Sequence, residues 1–149
     1  MSDFETRFGE PLAKVMRHFD ELRDGLASGA LSGDAFVKAS QEYAELEPVA
    51  GAITEMRRAH ADMAELEAMA EGDDADMRDL ATDELAEAKR RLPGMERGIL
   101  LALLPKGKPV VLALNKVDRI RDKGKFAQVL TGWASRRDFA ALVPVSAEK

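Results

Sequence analysis

Over the first two thirds of the chain, apolar residues recur every three or four positions, the spacing that gathers side chains on one helix face. Leu12, Val15, Met16, Phe19, Leu22 and Leu26 form the first such stripe. Pro11 stands where a first helical turn tolerates proline, so the pattern predicts a helix opening there. Gly29 and the Ser32-Gly33-Asp34 cluster end that stripe, and Ser32 is the expected N-cap of the next helix. The second stripe is long: Phe36, Ala39, Tyr43, Leu46, Ala50, Ile53, Met56, His60, Met63 and Leu66. Pro48 lies within it, and the surrounding periodicity predicts a kink there rather than a stop. Gly72-Asp73-Asp74 supplies a turn with an acidic cap. A third stripe then runs through Met77, Leu80, Ala81, Leu85, Ala88, Leu92, Met95, Ile99 and Leu103, with a second kink expected at Pro93-Gly94.

After Lys106 the period changes. The continuous apolar run from Pro109 to Leu114 reads as a strand buried on both faces. Phe126, Val129, Leu130 and Trp133 return to helical spacing, and the stretch from Phe139 to Val145 reads as a second strand. The order predicts a right-handed parallel βαβ unit. The fold class expected is therefore mainly α: three long, antiparallel, coiled-coil-like helices over residues 1–106, then a small βαβ fragment over 107–149. The strand residues Val110, Leu112, Leu114, Leu142 and Val143 need an apolar cover. Ile99, Leu100, Leu101, Leu103 and Leu104 are the expected donors.

Charge sharpens the division. The 149 residues carry a net −5, yet residues 1–106 hold −10 and residues 107–149 hold +5. The absence of cysteine excludes disulfide frameworks and thiolate chemistry. Two histidines, His18 and His60, leave little for a histidine metal site, and none is expected. His60 falls within the apolar seam with no acidic or histidine neighbour at ligand spacing. No stretch has the pattern of a signal peptide or a membrane span, which predicts a cytoplasmic protein without a membrane partner; no DNA partner is expected either.

Three segments carry a resemblance. ASQEYAELEPVA (39–50), DMRDLATDELAEAK (76–89) and LALLPK (101–106) resemble, in the same order, the N-terminal helical domain of bacterial class I peptide chain release factors. The resemblance implies a domain that rests near the ribosomal stalk, so the expected partner is the ribosomal stalk region or another protein. The Gly-Gly-Gln tripeptide of peptidyl-tRNA hydrolysis does not occur in the sequence.

Asn115-Lys116-Val117-Asp118 follows the first strand, and Ser146-Ala147 follows the second. An amide and a carboxylate at a strand's C-terminal end can face one edge of a planar base. In their βαβ setting these residues resemble the guanine-recognition motifs of Era-type GTPases. That resemblance implies that Asp118 accepts hydrogen bonds from guanine and that Asn115 supports the loop. It also implies that Lys116 lies over the ring and that the Ala147 N–H meets the base carbonyl. No G-x-x-x-x-G-K-[ST] phosphate loop occurs in the sequence, so no cofactor is expected, with weak GTP or GDP binding the alternative. The two resemblances in one chain read as a recombined or engineered fusion, a non-catalytic helical interaction protein rather than an enzyme.

Overall fold

In a computed structural model of the chain, residues 3–104, 106–120 and 122–146 are described. The chain is mainly α-helical and divides into two compact units, Met1–Leu103 and Leu104–Lys149.

The first unit is three helices: α1 (Asp3–Ala27), α2 (Gly33–Ala70) and α3 (Ala75–Leu103). Helix α1 opens two turns earlier than its first stripe predicts, and Pro11 lies inside it. The reason is tertiary. Phe4 and Phe8 extend the apolar face toward the N-terminus, with ring centroids 5.0 Å apart, and Phe4 and Leu12 are buried. Burying Phe4 and partly burying Phe8 outweighs the one hydrogen bond that proline cannot donate. Helix α2 likewise continues through Pro48 and α3 through Pro93.

Helices α2 and α3 form an antiparallel hairpin: Glu67 pairs with Lys89 at 3.0 Å, while His60 meets Glu96 at 3.5 Å, so the numbering runs in opposite directions. Val49, Ile53 and Met56 of α2 enclose a core with Leu12 of α1 and with Leu92 and Ile99 of α3. Phe19 of α1 stacks on Tyr43 of α2 at 4.7 Å. The seam frays toward its ends, where Phe36, Met77 and Leu80 are exposed. Ile99, expected to turn toward the strands, is fully buried in this helical core, and Leu100 and Leu103 pack against it.

Capping follows local chemistry. The Asp74 carboxylate accepts from the N–H groups of Asp76 and Met77 at 3.0 and 3.2 Å, closing the start of α3 as expected. Ser32 occupies the N-cap position of α2 in extended conformation, but its hydroxyl makes no capping hydrogen bond. No helix among the described residues is long and apolar enough to cross a membrane.

The second unit contains β1 (Val111–Leu114), a short 3₁₀ turn at Val117–Arg119, α4 (Lys123–Ala134) and β2 (Ala141–Pro144). The strands pair in parallel, Val111 opposite Ala141 and Leu114 opposite Pro144. Asp122 caps α4 by accepting from the Gly124 and Lys125 N–H groups. The expectation of a strand buried on both faces fails. Leu112 and Leu114 are half-buried, whereas Val111 is 59% exposed and Val143 is 40% exposed. Two strands and one helix do not supply enough apolar surface to cover two sheet faces.

Candidate functional site

The loops that follow β1 and β2 meet beyond the carboxyl ends of the strands, where parallel α/β units place ligand-binding residues. Two backbone hydrogen bonds continue the strand pairing into them. The Val145 N–H donates to the Leu114 carbonyl at 2.8 Å, and the Val117 N–H donates to the Val145 carbonyl at 3.4 Å. This tie fixes the first loop against the end of the second strand.

Within it, the Asn115 side-chain oxygen accepts from the Lys116 N–H at 2.8 Å. Lys116 itself adopts a left-handed conformation, φ 62° and ψ 35°, the one non-glycine residue with positive φ among those described. Such a conformation costs a side-chain-bearing residue about 1 kcal/mol or more and persists where neighbouring bonds enforce it. The Asn115 side chain provides one such bond. Asp118 then starts the 3₁₀ turn, and the Ser146 hydroxyl donates to its Oδ1 at 2.7 Å across 28 residues of sequence.

Asn115, Lys116, Asp118 and Ser146 are thus gathered at one end of the sheet, all exposed. Ala147 lies outside the described residues. Among the described residues, the Ser146 hydroxyl is the side-chain donor that meets the Asp118 carboxylate. The direct Ser146–Asp118 bond is a detail that motif spacing alone does not reveal.

The polar contacts of the helical unit join its helices to one another and to their own turns. His18 of α1 bonds Glu42 of α2 at 2.8 Å on the exposed side of the pair. The Arg23 guanidinium, hydrogen-bonded to Asp24 and facing Asp20, has its pKa raised above the ordinary arginine value. His60 does have an acidic neighbour, Glu96, brought to it by the hairpin from 36 positions away. Their 3.5 Å separation is at the outer limit of a hydrogen bond, and Nε2 of His60 has no hydrogen-bond partner among the described residues. Sequence spacing could not show this pair, because it exists only once α2 and α3 are paired.

Comparison with known proteins bears on the helical unit. A family model described as the PCRF domain matches residues 15–111. Peptide chain release factor 1 of Novosphingobium aromaticivorans is 44% identical over 95 residues, covering 64% of this chain and 26% of that protein. The corresponding protein of Dinoroseobacter shibae is 44% identical over 97 residues, covering 65% and 27%. That of Rhodospirillum rubrum is 37% identical over 123 residues, covering 83% and 31%. The chain spans about a quarter to a third of the length of these relatives. No solved structure matches it.

The likeness does not stop at residue 106. The family match reaches the first residue of β1, and 83% of the chain is more than residues 1–106 can supply. The expectation of a recombined or engineered fusion gains no support from these matches. The Era-type reading rests on the loop residues alone.

Proposed function

The chain belongs to the PCRF domain family, and on that premise we propose that its helical unit is a non-catalytic interaction module of translation, with a ribosomal partner. The observation that carries this reading is the family match to residues 15–111, which takes in the buried core from Val49 to Ile99. The relatives are named peptide chain release factor 1. The module contributes binding through its helix faces, and its charged groups lie on exposed surfaces suited to recognition. Pelleting of the full chain with ribosomes through a sucrose cushion tests the reading. Co-sedimentation that saturates near one chain per ribosome supports it. A chain that stays in the supernatant at every ribosome concentration defeats it.

A second reading, weak recognition of a guanine base by the second unit, is favoured by the Ser146–Asp118 hydrogen bond. Oδ1 keeps a lone pair beside the serine bond, so the Asp118 carboxylate can accept from both the ring N–H and the exocyclic amine of guanine, whereas adenine presents no such pair of donors. Without a phosphate-binding loop the affinity is low, because only the base is held. Calorimetry with GDP and ADP tests it. Heat with GDP alone, lost in Asp118→Ala, supports the reading, and equal behaviour of the two nucleotides removes it.

A further inference from the structure

We propose that the groove between α2 and α3 is a docking site for a basic amphipathic helix of a partner protein. The inference deepens the proposed function and rests on the reading of the helical unit as an interaction module. The groove has a volume of about 600 Å³ and is lined from the two hairpin helices alone, without α1. Its apolar residues are Ala59, Leu66 and Met69 of α2 and Ala88 and Met95 of α3. On each helix the lining positions recur at three- and four-residue intervals, so the two faces form one continuous channel. From Glu55 to Met69 it extends about 21 Å at 1.5 Å per residue, the length of a partner helix of about four turns. Small residues let a third helix approach, and the two methionines adapt their flexible thioethers to its side chains.

The charge along the channel specifies the partner. Glu55, Asp62, Glu65 and Glu84 line it and form no ion pair among the described residues. Arg58 and Arg91 are the only cations of the lining, and Glu87 adds a fifth carboxylate that pairs with Arg90 outside it. An apolar strip bordered by excess carboxylates complements a helix with an apolar stripe flanked by Lys or Arg. A second helical unit of this chain is a poor occupant. Each carries the −10 of residues 1–106, so pairing two of them sets like charges together.

The test uses the full chain and a labelled synthetic peptide of about four turns, with leucine at i, i+3, i+4 and i+7 and lysine elsewhere. Fluorescence anisotropy should give an affinity at least about tenfold higher for this peptide than for one of the same composition with the leucines scrambled. The double variant Asp62→Lys with Glu84→Lys should lose about tenfold, because two border attractions become repulsions. Glu21→Lys with Asp79→Lys makes the same charge change at exposed positions outside the groove and should lose less than about threefold. Circular dichroism confirms that both variants keep their helices. Equal affinity for patterned and scrambled peptides overturns the proposal, as do equal losses in the two double variants. A dimer that the groove variant dissociates also overturns it, since a second copy is then the occupant. Ribosome pelleting in parallel separates the two levels. Ribosome binding without peptide selectivity ends the groove proposal alone, and peptide selectivity without ribosome binding ends the ribosomal reading alone.

Discussion

The two units of this chain bury side chains to very different extents. The helical unit closes on Leu12, Ile53, Met56 and Ile99, each fully buried, with Phe4, Val49 and Leu92 buried in the same cluster. In the second unit no described residue reaches that degree of burial, and even Leu112, Leu114 and Trp133 remain half-exposed to solvent. Both have regular, hydrogen-bonded secondary structure. The difference lies in the number of apolar layers. Three long helices bury one another's faces, whereas one helix and two strands have less apolar surface to bury against each other, and Val111 and Val143 stay exposed. Hydrogen-bonded secondary structure is therefore no measure of stability here, because burial supplies most of the driving force.

The largest effect expected from this contrast is at the centre of the helical core. Ile53→Ala should cost about 3 kcal/mol, the usual range for emptying a fully buried aliphatic site. Leu142→Ala in the second unit should cost only about 1 kcal/mol, since its side chain is half-buried to begin with. The chain supplies a probe for each unit. Circular dichroism at 222 nm is dominated by α1, α2 and α3, and the single tryptophan, Trp133, lies in α4. Urea titration should show tryptophan fluorescence changing at lower denaturant than the circular dichroism. Coincident curves at every wavelength would make the chain one cooperative unit and erase the contrast.

Hydrogen exchange sharpens the same comparison residue by residue. Amides of Ile53 and Met56 should exchange about a hundredfold or more slowly than those of Leu112 and Leu114, corresponding to a difference in opening free energy of about 3 kcal/mol. Equal protection at the two sites would mean that the strands open only with the whole molecule.

The three helices were legible from periodicity because long amphipathic stripes leave few alternative packings. Val49, Ile53, Met56, Leu92 and Ile99 all lie in or beside the stripes that spacing picks out. Local signals were less dependable where tertiary packing competes with them. Pro11 reads as a helix start, yet the Phe4–Phe8 cluster carries the helix past it. Ile99 and Leu100 read as spare apolar surface, yet the helical core consumes them. The loop residues Asn115, Asp118 and Ser146 were legible as a set because the βαβ order forces them to one end of the sheet. The His60–Glu96 pair was not, since nothing in the spacing of either helix announces a partner on the other.

A smaller effect separates the two helix starts that local sequence makes look alike. Asp122 accepts two backbone N–H bonds at the start of α4, and Asp122→Ala should cost the second unit about 1 kcal/mol. Ser32 makes no side-chain capping bond, so Ser32→Ala should change the helical unit by a few tenths of a kcal/mol, about the scale of a surface substitution. Each is read from the probe of its own unit, tryptophan fluorescence for the first and circular dichroism for the second. A Ser32→Ala loss as large as that of Asp122→Ala would mean that the serine hydroxyl does cap α2 in solution.

The smallest effect concerns the exposed bridge between α1 and α2. His18 and Glu42 meet at 2.8 Å, yet both side chains are about half exposed, so water and salt screen their attraction. A double-mutant cycle of His18→Ala and Glu42→Ala should give a coupling of about 0.5 kcal/mol, falling further at high salt. The pair is a surface detail on a junction already held by the Phe19–Tyr43 stack and the buried Leu12. A coupling above about 2 kcal/mol would be outside the range of exposed pairs. It would mean that the junction draws on polar bonding as much as on burial, and that the contrast between the two units is smaller than their cores imply.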